Sequence, residues 1–453
     1  MKRDYGNSSF LVLGLARSGL AAARLLLDEG AQVTGADENS DIDLPGETEG
    51  MEVKLGPFDN SLLEGCDQVV VSPGIPMSRP VIKEAIRRSM PVISELELGF
   101  RFARGEIIAI TGTNGKSTTV SMIESVLKEG GLEAIAAGNI GKPLCSVVAS
   151  AGAETILVLE VSSFQLESIK EFKPRVAGIL NMTPDHLDRY DSVEEYYEAK
   201  KRIYMNCGTE CSFVYNAADP RCSGAARDFP GRLLPFSSSV SLNSGVVLRN
   251  GTIVIVENGE VAEEIINLSE LKVVGIHNAE NSMAAIAAAR EFGVGSDVCR
   301  EALSSFRGLE HRMQLVRSLE GVDYYNDSKA TNVEGTVMSL KEMPVPVNLI
   351  AGGLDKGSDY SKLLSVSGNI HNIVLIGEAA KLIEKAVGGR INVRHAKDIY
   401  EAVRVCRSLS KPGMAVVLSP ACASFDMFSD YRERGEKFIE AVRQLKGEGN
   451  GQE

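Results

Sequence analysis

The chain has 453 residues, 44% of them hydrophobic, so it is too long for one ordinary core and points to about three domains. Its 48 basic and 61 acidic side chains leave a net charge of −13, which excludes non-specific attraction to nucleic acid or to an anionic membrane; anionic ligands must be held locally. No stretch approaches a membrane-spanning length, no long apolar segment follows Met1-Lys2-Arg3, and the eight cysteines form no C-x-x-C unit, so the expectation is a cytoplasmic monomer with free thiols and no membrane insertion.

In chain order, residues 9–14, 31–37 and 68–74 read as strands and 20–29 as a helix, the rhythm of a small parallel α/β unit. Its first turn, Gly14-Leu-Ala-Arg-Ser-Gly19, keeps the outer glycines of a dinucleotide fingerprint but has Ala16 where the close-approach glycine belongs. That turn suits a nucleotide diphosphate better than a full nicotinamide dinucleotide. Asp37 ends the second strand, where an acid commonly meets a ribose or base.

A second unit opens near residues 93–99. The apolar run 106–110 is followed by Thr111-Gly-Thr-Asn-Gly-Lys-Ser-Thr118 and then by a helical stretch, 119–128. Gly112 and Gly115 let backbone N–H groups approach an anion, the helix start adds partial positive charge, Lys116 can reach outer phosphates and Ser117 can reach Mg²⁺. Ile110 stands where the strict P-loop has its first glycine, so a strand-to-helix turn that binds nothing is the alternative.

Buried strands are expected at 155–160 and 176–181. Glu160 closes the first and could hold Mg²⁺ near Ser117; Asp185, His186 and Asp188 crowd the loop after the second. Residues 246–256 read as a hairpin turning at Asn250-Gly251 in type I′ geometry, and 278–292 as an Ala-rich helix. A third α/β unit follows a hinge at 306–310, with strands at 347–352, 372–377 and 413–419. The expected fold class is therefore α/β in three domains: a Rossmann-like N-terminal domain (1–96), a central P-loop ATPase-type domain (97–306) and a Rossmann-like C-terminal domain (307–453).

Taken in order, the phosphate loop, Gly138-Asn-Ile-Gly141, Glu160-Val-Ser-Ser-Phe-Gln165, Thr183-Pro-Asp-His-Leu-Asp-Arg189 and His277-Asn-Ala-Glu-Asn281 resemble the motifs of the ATP-dependent Mur ligases. Glu310-His-Arg312, Asn326-Asp-Ser-Lys-Ala-Thr-Asn332, Gly352-Gly353 with Lys356, and Ser419-Pro-Ala-Cys-Ala-Ser-Phe-Asp426 continue the likeness over nearly the whole chain. The resemblance implies an ATP-dependent amide ligase, and its first and last domains point to the member that joins D-glutamate to UDP-N-acetylmuramoyl-L-alanine.

By the same resemblance, Gly112, Thr113, Asn114, Gly115, Lys116, Ser117 and Thr118 would hold ATP phosphates, with Asn278 and Asn281 at adenine, Arg312 at phosphate and Asp327 at ribose. Ser117 and Glu160 would take one Mg²⁺, and His186 a second together with a carbamylated lysine, Lys200 or its neighbour Lys201. Lys329 would stabilise the transferred phosphoryl group. Leu15, Ala16, Asp37, Glu38, Gly74, Asn139 and Ser162 would contact the UDP substrate, and Thr331, Lys356, Ser424, Phe425 and Tyr431 the D-glutamate. The nearest rival is another member of the same superfamily, one that adds alanine, a diamino acid, or glutamate to folate; beyond it stand a nucleotide-gated binder, which would not need His186 and Glu160 together, and a dehydrogenase, which would want the missing glycine.

Overall fold

The computed structural model describes residues 5–6, 8–42, 44, 48–139, 141–184, 189–273, 275–341, 343–355 and 357–447. They form two compact units that divide between Phe306 and Arg307.

The first unit holds two sheets. In the first sheet, β1 (Ser9–Leu13), β2 (Gln32–Asp37), β3 (Glu52–Leu55), β4 (Gln68–Val71) and β5 (Val92–Ser94) run parallel in the order β3-β2-β1-β4-β5. The chain steps outward from β1 to β3 and resumes on the other side at β4, so the C-terminal ends of β1 and β4 flank a switch point. Gly14 adopts φ +86° just after β1, and a Cβ at Gly19 would overlap the Gly14 carbonyl. Only glycine permits that tight entry into the helix Arg17–Asp28.

The second sheet contains β6 (Ile107–Thr111), β7 (Ala134–Gly138), β8 (Ile156–Glu160), β9 (Val176–Ile179), β10 (Ser212–Asn216), β11 (Arg232–Ser237), β12 (Gly245–Arg249), β13 (Thr252–Glu257) and β14 (Glu260–Asn267). Their order is β14-β13-β12-β11-β10-β9-β6-β8-β7, parallel from β7 to β12 and antiparallel beyond. The central strands β6, β8 and β9 are buried at every residue, as their unbroken apolar runs require when both faces are covered. Arg249 pairs with Thr252 across Asn250 and Gly251, whose φ values of +49° and +77° are the two left-handed residues of a type I′ turn. The hairpin and β14 thus extend the main sheet.

Two helices cover one face of this sheet. Lys116–Glu129 contributes Val120, Ile123, Val126 and Leu127, and Ile276–Arg290 contributes Ala279, Met283, Ala284 and Ala288, all within one apolar cluster. The small alanines allow close approach. Where the chain passes from the first sheet to the second, Ser94 caps the helix Glu95–Phe102 by accepting the Glu97 N–H at 3.2 Å. The buried Glu97 carboxylate then accepts the amides of Lys170, Glu171 and Phe172, the first and last at 2.9 Å.

The second unit is a six-stranded sheet of β15 (Gln314–Leu319), β16 (Val322–Asn326), β17 (Val347–Gly352), β18 (Ile370–Ile376), β19 (Asn392–His395) and β20 (Ala415–Leu418). The order is β15-β16-β20-β17-β18-β19, with only β15 antiparallel. Alternate residues feed two cores, Leu349 and Val417 on one face, Ile350 and Val416 on the other. No described helix is long and apolar enough to cross a membrane, and all eight cysteines are free.

Candidate active site

The helix after the phosphate loop begins at Lys116, three residues before its sequence signal, because Gly115 at φ +83° serves as its N-cap. A side chain at Gly115 would overlap Asn281 Oδ1, so the loop needs glycine there. The loop is stitched to the chain after β9. Asn114 N–H donates to Asn181 Oδ1 at 2.8 Å, Asn181 Nδ2 returns a bond to Asn114 O at 3.1 Å, and Thr113 Oγ1 donates to Thr183 O at 2.9 Å. Asn181 carries no role in the sequence reading; its signal is an amide directly after an apolar strand.

Two lysines meet at this loop. Lys116 Nζ donates to the carbonyls of Gly112 (2.9 Å) and Thr113 (2.8 Å), and the buried Lys200 Nζ donates to Gly112 O at 2.8 Å while lying 4.4 Å from the centre of the Tyr196 ring. Lys201 is half-buried and pairs with Glu198 instead. Ser117 and Thr118 are buried in the first helical turn.

Glu160 ends β8 directly opposite Ile110 of β6, next to the strand that runs into the phosphate loop. It is 2% exposed. Its Oε1 accepts Asn139 Nδ2 at 2.9 Å, whereas Oε2 is buried with no hydrogen-bond partner. A bare acidic oxygen at the end of the strand next to β6, together with the hydroxyl of Ser117 in the first turn after the phosphate loop, is a donor set that suits a hard divalent cation, which prefers oxygen ligands, so Glu160 and Ser117 fit Mg²⁺. Among the described residues there is no cluster of three or more His, Cys, Asp or Glu side chains able to hold a metal. His186, with Asp185 and Asp188, lies outside the described residues, as does Lys356.

At the Ala-rich helix, Asn281 Oδ1 accepts Thr119 Oγ1 at 3.2 Å and its Nδ2 donates to Asn278 Oδ1 at 3.2 Å, so Asn281 braces the phosphate loop and presents Asn278. A cavity of about 420 Å³, lined by Leu268, Ser269, Leu271, Val273, Gly275 and Ile276, opens at the N-terminal end of this helix. Ser162 forms a reciprocal capping box with Gln165, whose Nε2 is buried without a partner.

In the first sheet both Asp37 oxygens serve the backbone: Oδ2 accepts Leu15 N–H at 2.7 Å and Oδ1 accepts Asn39 N–H at 2.9 Å. Asp37 thereby shapes the turn it was expected to share with a ligand. Ala16 is the uncapped N-cap of the first helix, Glu38 pairs with Arg79, and Gly74 lies in the turn after β4.

In the second unit Asp327 is buried and accepts Ser419 Oγ at 2.7 Å and Met313 N–H at 3.2 Å; burial pushes its carboxyl up to about 6. Lys329 is half-buried, Thr331 exposed, Ser424 buried, and Phe425 63% exposed. Arg312 is half-buried beside a bridge to Leu309. The carbonyl of Tyr431 accepts Ser328 Oγ at 2.7 Å. Arg434, which the motifs do not single out, is fully buried and donates to Ser328 Oγ and O and to the carbonyls of Cys422 and Ala423, at 2.9 to 3.2 Å. Burial pulls its guanidinium down to about 10. It ties the loop bearing Lys329 and Thr331 to the loop bearing Ser424 and Phe425.

A glycine-capped phosphate loop at the C-terminal end of a central strand of a largely parallel sheet, with a buried carboxylate ending the neighbouring strand, defines a phosphate-loop α/β protein. Comparison with known proteins narrows the class: residues 8–94 match the MurD-like N-terminal domain of Mur ligases, 110–289 the Mur ligase middle domain, and 311–422 the Mur ligase glutamate ligase domain. The chain belongs to the Mur ligase family. It is 40% identical over 454 residues to the UDP-N-acetylmuramoylalanine–D-glutamate ligase of Pelotomaculum thermopropionicum, covering 98% of this chain and 100% of that one. It is 42% identical over 443 residues to the ligase of that name from Geotalea daltonii, covering 96% and 97%. Among solved structures, the UDP-N-acetylmuramate-alanine ligase MurC of Thermotoga maritima shares the fold with TM-score 0.60 at 20% identity, over 97% of this chain and 100% of that one. MurF ligase of Thermotoga maritima, solved with ADP, does so with TM-score 0.58 at 15% identity, over 96% of each.

Proposed function

We propose that the protein joins D-glutamate to UDP-N-acetylmuramoyl-L-alanine at the expense of ATP, in the cytoplasmic synthesis of peptidoglycan precursors. The observation that carries this reading is the likeness, at about 40% identity and over essentially the whole length, to curated ligases of that name. On this reading 1–96 binds the UDP substrate, 97–306 binds ATP and 307–453 binds the amino acid.

A carboxylate resists attack because its charge repels nucleophiles and oxide is a poor leaving group. Transfer of the ATP γ-phosphoryl group to the terminal carboxylate gives an acyl phosphate, and the D-glutamate amine then displaces phosphate to form the amide, losing a proton. The protein's task is to position anions. The loop amides from Gly112 to Thr118, with Lys116, would cradle the phosphates, supported by the glycine-capped helix start. Lys116 would exchange its loop carbonyls for phosphate oxygens.

Mg²⁺ held by Ser117 and Glu160 would supply charge neutralisation at the phosphates. His186 and Lys200 would serve a second ion, Lys200 as its carbamate. A carbamate keeps one N–H, so the bond to Gly112 O can persist while its carboxylate takes the metal. Asn278 and Asn281, with the cavity beside Gly275, would receive adenine, with Arg312 and Asp327 at phosphate and ribose. Lys329 would stabilise the moving phosphoryl group. Leu15, Ala16, Asp37, Glu38, Gly74, Asn139 and Ser162 would contact the UDP substrate; Thr331, Lys356, Ser424, Phe425 and Tyr431 would hold D-glutamate.

The test is ATP-dependent phosphate release with UDP-N-acetylmuramoyl-L-alanine and, in turn, D-glutamate, L-glutamate, glycine, L-alanine and a diamino acid. Release with D-glutamate alone is expected. Release with another amino acid instead would overturn the assignment of the C-terminal domain.

A further inference from the structure

Arg189 follows β9 in sequence, yet its side chain is only 13% exposed and joins turns from two different sheets. Nη1 donates to Pro73 O at 2.7 Å and Nη2 reaches Ile75 O at 3.4 Å, both in the turn after β4. Nη2 also meets the Glu167 carboxylate at 3.3 Å, and the guanidinium lies 3.8 Å from the centre of the Phe164 ring, both in the segment after β8.

The contacts continue inward. The other Glu167 oxygen accepts Tyr190 Oη at 2.7 Å. The Tyr190 ring stacks on Phe164 at 6.0 Å and lies 5.5 Å from the Tyr196 ring, and Tyr196 Oη is 3.4 Å from Thr113 Oγ1 in the phosphate loop. A packed polar and aromatic chain therefore runs from the turn around Gly74 to the phosphate cradle. Burying a guanidinium is costly unless its donors are satisfied, and only a planar fork can serve two carbonyls, a carboxylate and an aromatic face together.

We infer that Arg189 is a positioning residue: it sets the Pro73–Ile75 turn of the first sheet against the phosphate loop, so that an acceptor bound at the first sheet meets the γ-phosphate at reacting distance. The inference rests on the ligase reading above and adds a residue that acts through that turn rather than on the substrates. Displacing the turn weakens productive acceptor binding and leaves the ATP cradle, held separately by Asn181 and Asn281, unchanged.

Steady-state kinetics of Arg189→Ala and Arg189→Lys test it, with thermal unfolding measured alongside. The expected result is a rise in KM for UDP-N-acetylmuramoyl-L-alanine of about ten-fold or more for Arg189→Ala, a lowered kcat, and a KM for ATP within about two-fold of wild type. Arg189→Lys should shift the same ratio by a smaller factor, and it decides the question if the alanine variant does not fold. A role in stability alone would lower Tm with both KM values unchanged, and that result, or an equal rise in both, overturns the inference. Wild-type protein that turns over ATP only with some other acceptor overturns the ligase reading and this inference with it.

Discussion

Lys116 and Lys200, 84 positions apart by their numbers, direct their ammonium groups at the same acceptor, the carbonyl oxygen of Gly112, from 2.9 and 2.8 Å. Two cations on one carbonyl repel each other, and the arrangement is eased by Thr113 O on one side and the Tyr196 ring on the other. Lys116→Ala is expected to lower kcat for phosphate release by about 10³-fold, the scale for removing a charged group that stabilises transferring phosphoryl oxygens. Far-UV circular dichroism and Tm should be those of wild type. Retained turnover would remove Lys116 from the phosphate site.

Glu160 keeps one oxygen on Asn139 and one bare. Glu160→Gln can still accept from Asn139 but has no anionic oxygen to offer. Titration of Mn²⁺ into the ATP-bound protein, followed by its paramagnetic signal, should show affinity reduced by about ten-fold or more. Unaltered metal affinity would mean that the bare oxygen is an internal feature unrelated to a cation.

Glu95 supplies a pH signature away from the phosphate loop. It is fully buried, Oε1 accepts the Cys145 N–H at 2.7 Å, Oε2 has no partner, and burial raises its carboxyl to about 7. A folded-state pKa above the unfolded value of 4.5 means that the native state holds the proton longer, so stability falls as pH rises from about 4.5 to about 7. The loss amounts to about 3 kcal/mol. In Glu95→Gln, urea unfolding across this window should lack that slope relative to wild type. Parallel stability curves for the two proteins would refute it.

Arg434 carries a buried positive charge on four neutral acceptors. Lysine in its place lacks the planar spread of donors that spans Ser328, Cys422 and Ala423. Arg434→Lys should cost about 2–4 kcal/mol in urea unfolding. Because the two loops it joins carry Thr331 and Ser424, KM for D-glutamate should rise while KM for the UDP substrate holds. A stable variant with an unchanged KM for D-glutamate would reduce Arg434 to an ordinary buried residue.

Much of this molecule is legible from local pattern. Continuous apolar runs mark β6, β8 and β9 because strands covered on both faces have no polar side to show. Asn250-Gly251 announces its turn because both residues tolerate positive φ. Gly112, Gly115 and Lys116 announce the phosphate loop because the conformation admits few other residues. Helix starts are read less well: the signal at Thr119 falls three residues late, since a left-handed glycine cap leaves no periodicity to follow.

What no local pattern contains is the partner of each polar group. Asp37 reads as a ligand-facing acid at a strand end, and only the fold shows that its oxygens also accept the amides of Leu15 and Asn39. Asn281 reads as an adenine contact, and only the fold shows that it also accepts a bond from Thr119. Arg189 closes a motif and Arg434 belongs to none, and in neither case does the local sequence show the carbonyls of distant turns to which folding ties it. Order of elements, turn chemistry and the phosphate loop follow from short-range sterics and hydrophobic period, which neighbouring residues carry in themselves. Which carboxylates stay bare, which cations are buried and which lysines share an acceptor follow from desolvation and packing across long separations, and those exist only once the sheets have formed.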